Sequence, residues 1–142
     1  MQIWHLSLVD LTFLMLWRTG EREFRVVRAG EPAVLLTNAD YILFDRKFSS
    51  VLGMLKEQVI YSPVTVSDNV KRITFDNYIE VKIKNEITPD SIRSMDDQGL
   101  KIWAFSNKHV FVSDELKREF EKVAKGAFKF SEGFSHFGGG LS

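Results

Sequence analysis

The sequence predicts a single α+β domain, mostly antiparallel sheet, with two principal amphipathic helices at about 46–57 and 114–125. Three observations predict it. Short apolar segments alternate with polar residues, most plainly YIEVKIK (78–84), which is the period of a half-buried strand. Two other segments carry apolar residues at i, i+3, i+4 and i+7, the period of a helix packed by one face. Asn, Asp, Gly and Pro recur between these segments as turn residues, which suits a meander of hairpins.

Taken in order, IWHLSLVDLTFLMLW (3–17) is the most apolar part of the chain. Leu6, Leu8, Leu11 and Phe13 partly alternate, while Leu14, Leu16 and Trp17 fill both faces, so the expectation is a buried strand or hairpin, with a helix as the alternative. The stretch lacks a basic leader, contains His5 and Asp10, and stops at Arg18, short of the roughly 20 residues a bilayer needs. Neither a signal segment nor an anchor is predicted. Thr19-Gly20-Glu21 marks a turn, and FRVV (24–27) and AVLL (33–36), separated by AGEP, read as short strands.

YILF (41–44) is strand-like, Asp45 is placed to cap a helix, and Phe48, Val51, Leu52 and Leu55 give that helix one apolar face. Gly53 weakens it. Pro63 in VIYSPVTV (59–66) suits a sheet edge or a bend rather than a central strand. Asp68-Asn69 and Asp76-Asn77 punctuate KRITF (71–75) and YIEVKIK, where Ile79, Val81 and Ile83 face one side and Glu80, Lys82 and Lys84 a wet side. NEITPDSIRSMDDQG (85–99) lacks sustained periodicity and reads as a surface-crossing loop with a short helical turn near Asp90.

KIWAF (101–105) and HVFV (109–112) flank the turn Ser106-Asn107-Lys108. A helix follows, capped by Ser113, with Leu116, Phe120, Val123 and Ala124 on one face, Asp114 and Glu115 at its positive end, and Lys122 and Lys125 at its negative end. Glu121 and Lys125 are spaced to pair, Gly126 terminates the helix, and AFKF (127–130) closes the domain as a strand. The domain is drawn over 1–137, with the Gly-rich 138–142 as a flexible tail. Laying Tyr41 onto His109 matches strand, cap, helix face and strand without an identical residue up to Ser62, so a shared pattern explains this echo as well as duplication does.

With 142 residues, 44% of them apolar, the chain can bury one sizeable core. Lys plus Arg and Asp plus Glu balance at 19 each, so no global field draws it to nucleic acid or an anionic membrane. The absence of cysteine removes disulfides, thiolate nucleophiles and Cys-based zinc sites, and fits a reducing cytoplasm. None of His5, His109 and His136 has a ligand partner at HExxH spacing, so no metal is predicted. Ser113 stands where a nucleophile elbow would, but Val112 and Asp114 replace the small flanking glycines, which favours a cap. Gly138 to Gly140 lack a phosphate-loop context, and no cofactor is expected. Aromatic and basic residues interleave at 101–103 and 128–130, which core packing explains better than base stacking, given the balanced charge.

YILFDRKFSSVLGML, IYSPVTV, DNYIEVKI and IWAFSNKHVFVSDELKREFEKVAKGAFKF together resemble a family of bacterial immunity proteins encoded beside polymorphic toxins. The similarity is closest at the strand-to-helix joint, Phe111, Val112, Ser113, Asp114, Leu116 and Lys117, and at Gly126, Phe128 and Phe130 of the closing strand. It spans roughly 41–130, with Asp45 where the family usually has Ser, and without the paired CxxC zinc motifs of some relatives. The resemblance implies a cytoplasmic, non-enzymatic binder of a cognate toxin domain. Asp90, Asp96 and Asp97 are the expected contacts, their carboxylates mimicking phosphate in a basic toxin cleft. The rival expectations are a small enzyme with a dispersed His and carboxylate site, His109 acting as general base, and a structural adaptor of a larger assembly.

Overall fold

The computed structural model describes residues 3–9, 12–55, 57–106 and 108–133. It is α+β and mostly sheet. Ten strands run in chain order: β1 (Ile3–Leu8), β2 (Met15–Gly20), β3 (Glu23–Arg28), β4 (Leu35–Thr37), β5 (Ile42–Asp45), β6 (Val59–Asp68), β7 (Ile73–Ile83), β8 (Ile102–Phe105), β9 (His109–Ser113) and β10 (Phe128–Glu132). They form a four-stranded antiparallel sheet, β10-β1-β9-β8, and a six-stranded sheet, β2-β3-β6-β7-β5-β4, in which only β3 and β6 pair in parallel. The apolar N-terminal run therefore supplies strands to different sheets rather than a hairpin.

The two principal helices expected from periodicity are shorter than expected, the first markedly so. A 3-10 turn (Arg46–Phe48) leads into α1 (Ser49–Gly53), with Asp45 Oδ1 accepting the Lys47 amide. Beyond Gly53 the amides of Met54 and Leu55 reach back only three residues, so the helix tightens and ends instead of running to 57. The predicted face is nonetheless right, since Phe48, Val51, Leu52 and Leu55 are all buried. The second helix, α2 (Asp114–Val123), breaks at Ala124, and Gly126 takes the left-handed conformation just beyond. Its buried face is Leu116 and Phe120; Val123 is 37% exposed. Its ion pairs are Asp114–Arg118, Lys117–Glu121 and Glu119–Lys122 rather than Glu121–Lys125.

Both helices pack between the sheets. Phe44 of β5, Phe48 before α1, Phe120 of α2 and Phe128 of β10 meet ring to ring, with centroids 5.2–6.4 Å apart. Around them one apolar cluster takes Leu6, Val110, Val112 and Ile102 from one sheet and Ile42, Val59, Ile79 and Val81 from the other. The strand–helix–strand echo has a topological counterpart. β5 and β6 both lie antiparallel to an intervening β7, and β9 and β10 both lie antiparallel to an intervening β1.

Sequence reasoning took Glu80 for a wet position, and the structure corrects it: Glu80 is 4% exposed. The six-stranded sheet curls until its ends meet, so that Leu16 of edge strand β2 and Leu36 of edge strand β4 share one apolar cluster with Phe24, Val66 and Tyr78. Inside the curl Arg18 of β2 donates hydrogen bonds from its two terminal guanidinium nitrogens to the Glu80 carboxylate and lies 4.7 Å from the Phe24 ring centre. Lys82 and Lys84 are exposed as expected. Replacing Glu80 by alanine is expected to cost about 2–3 kcal/mol, below the about 3–5 of a fully buried pair, because Arg18 still reaches water. Urea denaturation of Glu80→Ala against wild type reads this directly.

Two further expectations change for the same reason. Asp76-Asn77 is not a turn, because β7 continues through it, pairing Phe75 with Val66 and Tyr78 with Val64 across a bulge in β6. The Asp68 turn holds: its carboxylate accepts the amides of Val70 and Lys71. Pro63 sits inside a strand that is central by order. Its missing N–H is tolerated because β3 pairs with β6 only from Thr65 onward, leaving that edge open at Pro63.

Two tyrosines fasten the curl. The Tyr41 hydroxyl accepts the Leu16 amide at 3.1 Å, and the Tyr78 hydroxyl donates to the Ala33 carbonyl at 2.7 Å. Burial raises both pKa values above the ordinary 10.0, opposed by the backbone amides of Leu16 and Ala33, which donate to the Tyr41 and Tyr78 hydroxyls at 3.1 and 3.2 Å. Unfolded tyrosines ionise first, so the folded state holds more protons in alkali. Their stabilisation is complete below about pH 10 and is lost as pH rises through the folded values. Thermal melts from about pH 8 to 11 should show that fall, with a shallower one in Tyr78→Phe.

Among the described residues, no helix is long and apolar enough to cross a membrane.

Candidate functional site

The N-terminal residues read as core divide on folding. In the β2–β3 hairpin, Leu16, Phe24 and Val26 turn into the curl, so by alternation Met15, Trp17, Arg25 and Val27 turn outward. Trp17 is 60% exposed and Phe13 71%, with Met15 and Val27 also exposed. This corrects the expectation that the whole run is buried. The register carries the outward row across four strands, Trp17 beside Arg25, Arg25 beside Ser67, and Ser67 beside Thr74.

The lead-in to β2 is fixed rather than loose. Thr12 donates its hydroxyl to the Glu31 carbonyl and accepts the Leu14 amide. Gly30 lies so close that an added Cβ would stand 2.8 Å from Leu14 Cα, a contact only glycine avoids. Arg28 then reaches over the Phe13 ring at 5.3 Å, and Arg25 stands 6.0 Å from the Trp17 ring centre. The outcome is an apolar stripe, Phe13–Met15–Trp17, flanked by guanidinium groups and held on a braced hairpin. Exposed contiguous apolar surface of this kind marks interaction sites, and Trp and Arg concentrate binding energy there.

The predicted acids lie elsewhere. Residues 85–100 cross the outer face of the four-stranded sheet, with Ile87 buried among Ile3, Trp103 and Phe111 and the half-buried Ile92 and Met95 packed against them. Backbone bonds fix the crossing, Ile87 to Ala104 at 3.0 Å and Ala104 to Asn85 at 2.9 Å. On it Asp90 and Asp96 are exposed and Asp97 is half-buried. Asp96 accepts the Gln98 amide and Asp97 the Gln98 side-chain amide, so both also shape their own turn.

Ser113 is fully buried, donates to the Gly99 carbonyl at 2.7 Å and accepts the amides of Lys101 and Leu116. All its capacity goes to folding. Of the rings weighed for base stacking, Trp103 and Phe128 are buried, and Phe130 is half-buried with Lys117 over its ring at 5.3 Å.

His5 and His109 meet in space: their rings are 5.4 Å apart, edge to face. His5 pairs with Phe111 in the β1–β9 ladder, and His109, two residues from Phe111, shares its face. Both line a cavity of about 290 Å³ between β1, β4 and the lead-in to β2. The rival catalytic expectation thus finds two imidazoles, with no acid among the described lining residues. His136 and the Gly-rich tail lie outside the described residues. Among the described residues no group of three His, Asp or Glu side chains is placed to hold a metal ion.

No family model, curated protein or solved structure matches this chain. Its own surface has to carry the functional reading.

Proposed function

We propose that this chain is a cytoplasmic immunity protein that binds and neutralises a bacterial toxin domain without chemistry of its own, and that the outer face of the β2–β3 hairpin is the contact. The observation that carries a binding role is the braced Phe13–Met15–Trp17 stripe between Arg25 and Arg28. The kind of partner comes from the resemblance over 41–130. An apolar centre with a cationic rim fits a toxin surface that is apolar at its middle and acidic at its edge, on the scale of about 800 Å² per partner. Co-expression with the C-terminal domain encoded by the adjacent upstream gene tests the proposal. Rescue of growth and co-purification are expected, and failure of both removes it.

The acidic crossing is the alternative contact, favoured by one observation: it presents Asp90 and Asp96 outward from a segment pinned by Ile87. The two surfaces predict different mutants. If the hairpin is the contact, the double variant Asp96→Ala/Asp97→Ala changes partner affinity by less than about threefold, as remote surface substitutions do. A loss of about tenfold or more in isothermal titration transfers the contact to the acids, as truncation of interfacial charges would cause.

A further inference from the structure

We propose that the cavity between β1, β4 and the lead-in to β2 binds a small organic anion with an apolar body. Its lining combines two chemistries. Leu8, Leu14, Leu35 and Leu36 are aliphatic. His5 and His109 bring imidazoles, the exposed Lys108 an ammonium group and Tyr41 a phenol. The described lining residues include no acid, and Lys108 among them is a cation.

Tyr41 supplies an independent indication. It is only 5% exposed, and its hydroxyl accepts the Leu16 amide, which leaves the phenolic proton as the group it has to donate. Burial raises its pKa, so the proton is held at neutral pH. The nearby Asp40 carboxylate is not a lining residue and pairs with Arg18 at 3.6 Å. A carboxylate or phosphate group in the cavity would take a charge-assisted hydrogen bond from Lys108 and another from the Tyr41 phenol, while the lining leucines take an alkyl or aryl portion. At about 290 Å³ the cavity sits at the small end of ligand pockets, which limits the ligand to a short chain or a single ring.

None of Phe13, Met15 and Trp17 is among the described lining residues, and the cavity is tested on the isolated full chain without any partner. NMR titrations with hexanoate, 1-hexanol and inorganic phosphate, at one pH and constant ionic strength, use the probes directly. Hexanoate is expected to give saturable shifts at the His5 and His109 imidazoles. Hexanol, lacking the charge, and phosphate, lacking the chain, should each bind about tenfold more weakly or less, the loss of one good charge-assisted contact or of a buried chain. Lys108→Ala, at an exposed position that does not threaten folding, should weaken hexanoate about tenfold, and Tyr41→Phe should do the same. Absence of hexanoate shifts at the two imidazoles overturns the proposal. So does hexanol or phosphate binding as tightly as hexanoate, or unchanged hexanoate affinity in Lys108→Ala.

Discussion

Replacing Phe120 by alanine is expected to lower the unfolding free energy by about 3–5 kcal/mol. Phe120 is fully buried and touches the rings of Phe44, Phe48 and Phe128, which come from β5, the turn before α1, and β10. It is the point where α2 and both sheets are tied together. Three rigid aromatic neighbours cannot collapse into the space an alanine leaves, so the cavity persists and adds to the lost transfer energy. Against a total of about 5–15 kcal/mol for a domain, that is a large fraction. Phe120→Leu, which keeps most of the volume, should cost about 1–1.5 kcal/mol. Urea midpoints with unchanged slopes distinguish the two variants. A near-neutral Phe120→Ala would mean that α2 does not seat in the aromatic cluster.

Trp17→Ala should do the opposite, leaving stability almost untouched while removing most partner affinity. Its ring is 60% exposed beside Arg25, so folding should change by less than about 0.5–1 kcal/mol. At the centre of an interface a tryptophan is worth about 2–4 kcal/mol, which is roughly 30-fold to 1,000-fold in affinity. Isothermal titration with the co-expressed toxin domain, beside a thermal melt of the free variant, separates the effects. Comparable losses in both would make Trp17 a folding residue.

What was legible in the sequence was local. Asp45, Asp68 and Ser113 declare their caps and turns through a side chain and an amide two or three residues on, and the Phe48 and Leu116 faces follow from helical spacing. What was not legible depends on pairing between distant strands. Glu80 reads as a surface residue until Arg18, 62 positions away, is brought over it by the curl. Asp76-Asn77 has turn propensity, and the β6 ladder overrides it. The candidate surface was hidden for the same reason. Trp17 looks buried beside Leu14 and Leu16, and only the curl decides which of the three faces water. His5 and His109 are joined by a ladder register that no spacing encodes.

Hydroxyl-radical footprinting of the co-purified complex tests the hairpin contact most directly, because Phe13, Met15 and Trp17 are exposed side chains. All three should be oxidised in the free protein and protected together in the complex, while the exposed Met54 stays reactive. A complex in which those three remain as reactive as in the free chain would contradict the hairpin as the partner surface.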